Sequence, residues 1–370
     1  MMKFLHIADL HLGKRVFEYS MLEEQRRILS LIADHAIAED VRAVLIAGDV
    51  YDRPVPPAEA TALLSSFLEQ LHSAGIAVLM IAGNHDSGER LSFAAPLLAA
   101  TGVHVAGECH GTPEALIFEE DACRVAVHLL PYFRPNALAP YCGGARFENS
   151  HQALEHLLSD VDFDGADRHL LLAHLFVSGS VTCESELPVI GTVDAVPPSL
   201  FSRFDYVALG HLHRPQAFGN VVYAGSPLCY SFSECGQGKS AVLIEIGTGG
   251  VTTRRLPLIP MHAMREVKGS MRELMSAPYS EDYIRAVVTD EEVAPDARIT
   301  LRAVYPNLMR FAVENKYTAS EVDVPVTESV EGRDPLVLFS EFFEAQNGAA
   351  PTKDQLALMR EILKEAEVEQ

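Results

Sequence analysis

Five apolar segments of this sequence end in side chains that can bind metal ions or transfer protons. Residues 78–81 run into Ala82-Gly83-Asn84-His85-Asp86, which supplies an amide, an imidazole and a carboxylate at successive positions. The other four segments end in aspartate or histidine. Their end motifs are Asp9-Leu10-His11, Gly48-Asp49, His174 and Gly210-His211-Leu212-His213. Segments of this length and composition are typical of buried strands, and ligand sites of α/β sheets lie at the carboxyl ends of strands.

The side chains at these ends form a donor set of carboxylate, imidazole and amide groups without a thiolate. It comprises Asp9, His11, Asp49, Asn84, His174, His211 and His213. Such ligands suit divalent manganese, iron or zinc. Two ions about 3.5–4 Å apart can hold the oxygens of a phosphoryl group and activate a water molecule for in-line attack. One carboxylate has to bridge two such ions, and Asp49 follows the predicted central strand. A single histidine is more often structural, but five such motifs in series favour a metal centre.

Periodicity predicts helices between these strands. Apolar residues at positions 29, 32, 33 and 36 recur with helical spacing before the Asp49 strand, and positions 60 to 71 mark a second amphipathic helix that Gly75 ends. Strand, helix, strand, helix, strand is the order of a parallel βαβ arrangement. Further predicted elements are strands at 115–118, 124–129, 221–224, 241–246 and 251–256, a helix near 154–158 and an irregular loop over 178–198. We therefore predict an α/β domain over residues 1–260.

Prolines at positions 257 and 260 mark the predicted end of this domain. Beyond them we predict a small α/β unit over residues 261–320, with strands at 263–268, 284–289 and 299–305 and a short helix near Leu274. Residues 321–334 are polar and acidic, which is typical of a linker. Residues 335–370 are predicted to form two amphipathic helices, the second opened by a capping box of Thr352 and Gln355. Two interpretations of this pair stay open: it packs on the small unit of its own chain, or it binds a partner.

Composition argues against several classes of protein. The chain has 370 residues and six cysteines without a C-x-x-C pair, so neither a zinc ribbon nor a disulfide framework is expected. It has no apolar stretch of about 18 residues and no basic-then-apolar leader, so we expect a cytoplasmic protein without a membrane span. The net charge of −22 argues against holding nucleic acid by overall electrostatics. Lys14, Arg15, Arg53 and Arg90 lie beside the motifs as candidates for local phosphate contacts, so any nucleic-acid binding by the isolated chain should be weak and salt-dependent.

One motif imitates a nucleotide-binding loop. Gly236-Gln237-Gly238-Lys239-Ser240 resembles the end of a P-loop, but Ser233 replaces the first glycine, and a strand follows where a helix should bind phosphate. Any ATP that the function uses is therefore expected on a partner.

The order of these motifs resembles that of the calcineurin-like binuclear metallophosphoesterases over about residues 3–260. The resemblance implies an α/β metallophosphoesterase fold, a β-sandwich flanked by helices, that holds two divalent ions. It assigns Asp9, His11, Asp49 and His213 to one ion, and Asp49, Asn84, His174 and His211 to the other. His85 is implied to face the substrate as proton donor or stabiliser of the transition-state charge, with Asp86 orienting it from behind.

A narrower resemblance covers nearly the whole chain. The segments 210–216 and 225–228 and the helix pair after Asp334-Pro335 are similar to those of the nuclease subunits of bacterial SbcCD complexes. In that family a small α/β capping domain follows the nuclease domain, and a C-terminal helix-loop-helix binds an SbcC-like coiled-coil ATPase. The resemblance implies a manganese-dependent DNA exonuclease and endonuclease that trims ends and opens hairpins under ATP control. It also implies a homodimer formed through the nuclease domain.

Two other functions stay open from the sequence. The same metals serve phosphatases and cyclic-nucleotide phosphodiesterases with small substrates, although the capping domain and terminal helices weigh against them. A non-catalytic scaffold is the second alternative, although such a protein does not need a complete ligand set. Asp52 departs from relatives that place a histidine there near the scissile phosphate. It receives no catalytic role, and a turn-stabilising aspartate is the simpler interpretation.

Overall fold

The computed structural model describes residues 1–120, 123–186, 195–247, 249–315, 336–340, 343 and 350–368. Packing divides the chain into two compact units, Met1–Arg265 and Glu266–Gln370, while the predicted boundary at 260 stays a prediction. The predicted linker at 321–334 lies outside the described residues. In the ranges that the structure describes, no helix combines the length and apolar character needed to cross a membrane.

A six-stranded mixed sheet forms the first layer of unit Met1–Arg265. Its strands are β1 (Met2–Ile7), β4 (Ala43–Ala47), β5 (Ala77–Ile81), β6 (Val103–Ala106), β13 (Ser240–Gly247) and β14 (Gly250–Pro257). Their order is β14-β13-β1-β4-β5-β6, in which β1, β4, β5 and β6 run parallel and β13 pairs antiparallel with both its neighbours. The predicted parallel arrangement of the first three long strands is confirmed.

The helices α1 (Leu22–Ala38) and α2 (Ala58–Ser73) connect these parallel strands. Helix α1 buries Leu29, Ile32 and Ala36, which the helical spacing predicted as one apolar face. Helix α2 ends before Gly75, whose φ of 74° lies in the left-handed region that glycine adopts without strain. Helix α1 therefore follows from sequence periodicity, and α2 from periodicity together with a glycine stop.

A second six-stranded sheet lies against the first. Its strands are β7 (Glu114–Glu120), β8 (Cys123–Leu130), β9 (Arg168–His174), β10 (Tyr206–Gly210), β11 (Gln216–Phe218) and β12 (Val221–Tyr223). The order is β11-β12-β10-β9-β8-β7, with parallel pairing from β12 to β8 and antiparallel pairing at both edges. Helix α5 (Ser150–Ser159) packs Leu154 and Leu157 against the outer face of this sheet.

The core between the two sheets makes the unit a β-sandwich. Phe4, Leu45 and Leu79 of the first sheet belong to one buried cluster with Val127, Leu172 and Ala208 of the second. Outside the sheets lie α1, α2 and α5. Shorter elements are the hairpin strands β2 (Arg15–Val16) and β3 (Tyr19–Ser20) and the helices α3 (Gly88–Leu91) and α4 (Ala95–Ala99). The predicted α/β sandwich flanked by helices is confirmed.

A three-stranded sheet begins at Met264, at the end of unit Met1–Arg265, and otherwise belongs to unit Glu266–Gln370. Its elements are β15 (Met264–Gly269), α6 (Met271–Met275), β16 (Tyr283–Val288), α7 (Ala297–Leu301) and β17 (Leu308–Val313), with strand order β15-β16-β17. The strand predicted at 299–305 is wrong, because the chain there forms helix α7 and a turn. Leu301, Val304 and Tyr305 are buried at helical spacing whereas Ile299 is 74% exposed, and the third strand begins only at Leu308.

The second predicted C-terminal helix is α8 (Lys353–Val368). Its predicted capping box is confirmed: the Thr352 backbone N–H donates to Gln355 Oε1 over 2.8 Å, and the Gln355 N–H donates to Thr352 Oγ1 over 3.3 Å. Of the first predicted helix, the described residues 336–340 and 343 are helical, and its remainder lies outside the described ranges.

A buried polar contact joins the two sheets. His6 of β1 is fully buried, and its Nδ1 lies 3.0 Å from the phenolic oxygen of Tyr206 in β10. Burial disfavours the charged imidazole and lowers the pKa of His6 from 6.5 to about 3. Unfolding exposes the ring to water, so below pH 6.5 the imidazole binds a proton in the unfolded chain but stays neutral in the folded chain.

We therefore expect acid to destabilise the fold through His6. Between pH 7.5 and pH 5 this group alone should reduce the free energy of unfolding by about 2 kcal/mol. The substitution His6→Phe should remove that part of the pH dependence, as measured by urea unfolding in a chelator at both pH values. Tyr206→Phe is the matched control, because it removes the partner but keeps the buried imidazole and its pH dependence. An unchanged pH dependence in His6→Phe would contradict this assignment.

Candidate metal centre

The predicted site residues lie where strand ends of both sheets meet. They follow β1, β4 and β5 of the first sheet and β9 and β10 of the second. Two contacts join the sheets here: His174 Nδ1 lies 2.8 Å from the Ala47 carbonyl oxygen, and the His211 backbone N–H donates to Asp9 Oδ1 over 2.8 Å. The sandwich therefore converges on the residues that the sequence predicted as ligands.

Two glycines permit this close approach. A Cβ atom on Gly210 would overlap the carbonyl oxygen of Ala47, and one on Gly83 would overlap the carboxylate of Asp49. Any larger residue at either position would push the strand ends apart. The glycines of the two motifs are therefore spacing elements of the site.

Four candidate ligands have a backbone conformation that non-glycine residues rarely adopt. The φ angles are 53° at Asp9, 44° at His11, 48° at Asp49 and 100° at His211. Such residues cost free energy that surrounding contacts must offset, and they are concentrated at functional sites. Here the turns direct side chains from strand ends toward one point.

The Asp49 carboxylate lies at the centre of the cluster. Its Oδ2 is 3.7 Å from His11 Nε2 on one side and 3.5 Å from His174 Nε2 on the other. His213 Nε2 is 3.1 Å from His11 Nε2. On the opposite side Asn84 Oδ1 is 3.0 Å from His174 Nε2 and also 3.0 Å from His211 Nδ1. The structure thus brings together two groups of donor atoms with Asp49 between them.

Burial and mutual charge set the protonation of this cluster. Burial disfavours the charged imidazole of His174, but the Asp49 carboxylate outweighs it and raises the pKa of His174 to about 9. Burial also opposes ionisation of Asp49, yet the neighbouring imidazoles, His174 above all, hold its pKa well below the ordinary value. Burial raises the pKa of Asp9 to about 7 and lowers the pKa of His211 to about 3. Asp49 and His174 thus form a buried ion pair beside neutral groups.

The donor atoms fit divalent metal ions. Asp9 Oδ2 is buried without a hydrogen-bond partner among the described residues, and Nε2 of His11 faces Nε2 of His213 at 3.1 Å. Such atoms need a cation or a proton between them. Ligand atoms within 4.8 Å of one another form two groups, one of Asp9, Asp49 and His174 and one of His11, Asp49 and His85. The second group includes His85, which the sequence resemblance placed outside the ligand set.

His85 lies on the His11 side of the centre. Its backbone N–H donates to Asp49 Oδ1 over 2.8 Å, and its ring contacts the His11 ring edge to face at 4.8 Å. Its Nδ1 lies 3.0 Å from the carbonyl oxygen of Asp52, which can only accept, so Nδ1 carries a proton. The Asp86 carboxylate accepts bonds from three backbone N–H groups, those of Val50, Tyr51 and Gly83. Asp86 therefore fixes the loops that carry Asp49 and Asn84.

Gln25 and Tyr230 support the first motif. Gln25 Nε2 donates to the His11 carbonyl oxygen over 2.7 Å, and Gln25 Oε1 accepts from the Gly13 N–H over 3.0 Å. The Tyr230 hydroxyl donates to the Leu10 carbonyl oxygen. Sequence reasoning missed both residues, because a glutamine on a helix and a tyrosine 220 positions from Leu10 carry no local signal.

A buried ion pair supports His213. Glu234 and Lys239 are both buried, and the Lys239 ammonium donates to Glu234 Oε2, to Ser226 Oγ and to the carbonyl oxygen of His213. The Ser185 hydroxyl lies between Glu234 Oε1 at 2.6 Å and His213 Nδ1 at 2.8 Å. Lys239 is the lysine of the imitated P-loop, and β13 begins at the next residue as predicted. This lysine therefore supports a candidate ligand and does not bind phosphate.

The basic side chains near the motifs differ in availability. Lys14 Nζ is 2.6 Å from Asp52 Oδ1, so its charge is largely neutralised. Arg53 is exposed and its Nε is 3.7 Å from the other Asp52 oxygen. Arg90 is exposed and has no ion pair among the described residues. Asp52 thus pairs with two of the cations that the sequence offered for phosphate contacts.

We expect the Glu234–Lys239 pair to be energetically coupled. Lys239→Met should lower the free energy of unfolding by about 3–5 kcal/mol, because it leaves a buried carboxylate without its cation. Glu234→Leu should cost a similar amount, whereas the double variant should lose clearly less than the sum of the two. Urea unfolding of all four proteins measures this coupling. Additive losses would show that the two side chains act independently.

Family comparisons agree with this geometry. Residues 2–215 match the model of the calcineurin-like phosphoesterase family, and residues 260–347 match that of the type 5 capsule protein repressor C-terminal domain. The SbcD subunit of nuclease SbcCD from Staphylococcus epidermidis is 31% identical over 319 residues, which cover 83% of this chain and 84% of that protein. Its namesake from Staphylococcus saprophyticus is 30% identical over the same shares of both chains.

Among solved structures, a dimetal phosphatase from Danio rerio aligns over 70% of this chain and 96% of its own. Its identity of 13% and TM-score of 0.42 are too low to carry a structural conclusion. The sequence matches extend over both units of the chain and carry the assignment. The chain belongs to the calcineurin-like phosphoesterase family, among relatives named as the SbcD subunit of nuclease SbcCD.

Proposed function

We propose that this chain is a metal-dependent DNA nuclease and the nuclease subunit of an SbcCD-type complex. The observation that carries the proposal is the Asp49 carboxylate, 3.7 Å and 3.5 Å from imidazole nitrogens of two separate donor groups. That arrangement supports a bridging ligand between two ions. The names of the relatives support nuclease activity within an SbcCD-type complex. DNA as substrate, exonuclease and endonuclease action, and end and hairpin processing under ATP control are what the sequence resemblance implies, and they are part of this proposal.

The proposed ligand set is that of the sequence resemblance. One ion takes Asp9, His11, Asp49 and His213, and the other takes Asp49, Asn84, His174 and His211. Oxygen and imidazole nitrogen donors without thiolate suit manganese, iron or zinc. Manganese is the proposed metal because the sequence resemblance implies it. When bound, two such ions polarise the phosphodiester and activate a water molecule. The bent backbone at Asp9 and Asp49 and the buried support beneath His213 hold these donors in place before the metal arrives.

We assign proton transfer to His85. Hydrolysis adds a water oxygen to phosphorus and breaks the bond from phosphorus to a sugar oxygen, which leaves with a proton. His85 Nδ1–H donates a hydrogen bond to the carbonyl oxygen of Asp52, which leaves Nε2 available to the substrate. A protonated Nε2 can donate to the leaving oxygen or stabilise the charge on the phosphoryl group.

We expect His85→Ala to lose about 10²–10⁴-fold in turnover while it keeps its metal, because general acid catalysis contributes that much. Asp49→Asn should lose both turnover and metal. The measurements are cleavage of hairpin-ended duplex DNA with manganese and metal content by mass spectrometry. His151→Ala is the matched control, an exposed histidine of α5. Loss of metal from His85→Ala would instead make His85 a ligand.

The same assay separates the rival functions. Hydrolysis of bis(p-nitrophenyl) phosphate without cleavage of DNA, with and without the ATPase partner, would favour a phosphatase or phosphodiesterase for small substrates. Absence of both activities in a metal-loaded protein would favour the non-catalytic scaffold.

We propose that the C-terminal helices bind the SbcC-like coiled-coil ATPase. In α8 the side chains of Leu358 and Ile362 are one helical turn apart and are 59% and 49% exposed. An exposed apolar pair at this spacing supports capture of a partner helix. A homodimer through the nuclease domain is part of the same proposal, and the exposed side chains of Phe93 and Leu97 support it.

We expect the double substitution Leu358→Asp/Ile362→Asp to weaken binding of the ATPase partner at least about 100-fold, because it buries charge in an apolar contact. Calorimetric titration with the partner measures the affinity. Ala357→Asp on the same helix is the control for charge alone. Manganese-dependent cleavage by the isolated chain should persist in both variants, and equal partner affinity in all three proteins would contradict the assignment.

A further inference from the structure

A cavity opens beside the metal centre on the Asn84 side. Its volume is about 350 Å³, and it is lined by Asn84 together with Glu108, His110, Tyr132, Arg134 and Tyr141. Asn84 Oδ1 lies 3.0 Å from His174 Nε2 and from His211 Nδ1, so the cavity adjoins the metal centre at Asn84. His85 lies on the other side, against the ring of His11. A substrate that spans the centre from His85 therefore extends into this cavity.

The walls combine aromatic faces with a cation. The rings of His110 and Tyr141 are in contact, with centroids 4.6 Å apart and planes tilted by 44°, and Tyr141 is 51% exposed. Tyr132 lies on the inner side, with its ring edge toward His174. Arg134 is exposed, and its guanidinium has no ion pair among the residues described. Exposed aromatic side chains beside a cation are typical of surfaces that bind single-stranded nucleic acid.

The size of the cavity limits what enters it. Pockets for small ligands begin at about 300 Å³, so this one accepts a single nucleoside and not a base pair. Glu108 also lines the wall, 3.6 Å from His110. A carboxylate repels phosphate but accepts hydrogen bonds from base amino groups. The base therefore belongs at the Glu108 end and a backbone phosphate at Arg134.

We propose that this cavity is a nucleotide subsite that holds one unstacked base beside the scissile phosphate. The base stacks on the Tyr141–His110 pair, and Arg134 contacts the adjoining phosphate. The occupant is the nucleotide on the side away from His85, the one that keeps the phosphate after cleavage. This inference rests on the proposed nuclease function and adds to it a requirement for an unpaired nucleotide, because a base leaves a duplex only at a cost.

Exposed wall residues give the sharpest test. Tyr141→Ala should raise the KM for a single-stranded oligonucleotide about 10-fold or more, because stacking on one base contributes that much. Arg134→Ala should raise KM and make the salt dependence shallower by about one unit of slope. Tyr279→Ala and Arg298→Ala, at exposed positions of the other unit, are the matched controls and should keep the KM of the unaltered chain.

An abasic substrate identifies the contact itself. For the unaltered chain, a substrate that lacks the one base that fills the cavity should have a KM raised by the same factor as the substitution Tyr141→Ala raises it on the intact substrate. For the Tyr141→Ala variant, the abasic and the intact substrate should have the same KM. Equal losses from the abasic site in both proteins, or an unchanged KM in Tyr141→Ala, would overturn the proposal.

Binding without turnover separates this proposal from the nuclease function. In a His85→Ala background, an eight-nucleotide single strand containing 2-aminopurine should lose fluorescence on binding, and Tyr141→Ala should abolish that quenching. If the unaltered chain cleaves no DNA, the proposed nuclease function is wrong. Quenching that depends on Tyr141 would still support the subsite, and quenching that does not would contradict it. Cleavage by the unaltered chain without a Tyr141-dependent signal would overturn the subsite alone.

Discussion

The metal centre depends on a carboxylate that is buried between imidazoles. Asp49 is almost fully excluded from water, where an isolated charge is expensive. It stays ionised because the imidazole of His174 beside it carries a proton and forms an ion pair with it. A metal ion that binds here takes the place of that proton as the positive partner of Asp49. The close approach of the strands, the left-handed turns and the buried hydrogen bonds around the site all place imidazole side chains near this one carboxylate.

Residues that are not metal ligands offset the backbone strain of the candidate ligands. Left-handed backbone at Asp9 and His11 is unfavourable, and Gln25 stabilises that turn by binding its carbonyl and amide groups. His213 depends in the same way on the Glu234–Lys239 pair and on the hydroxyl of Ser185. Donors held in this manner lose little freedom when they bind a ligand, so more of the interaction energy is available for binding.

Local signals were enough for the strands and for the ligand motifs. The apolar runs before Asp49, Asn84 and His174 are short and continuous, so the sequence alone predicts these strands and their order along the chain. Glu234 and Lys239 could not be found this way, because their partners lie on other elements and a buried ion pair has no periodic pattern. Helix α7 was missed since three residues, Leu301, Val304 and Tyr305, also fit a short apolar strand until their burial is known.

The acidic character of the chain restricts how DNA can be held. At a net charge of −22 the distant field repels a polyanion, so attraction has to come from contacts within about a Debye length, near 10 Å. Lys14 forms an ion pair with Asp52, so the remaining nearby cations are the exposed arginines and the metal ions proposed for the centre. Stacking does not depend on charge, and an aromatic wall beside the centre therefore supplies affinity where electrostatics cannot. A nucleic acid bound in this way is recognised through an unpaired, accessible base as much as through the charge of its phosphodiester.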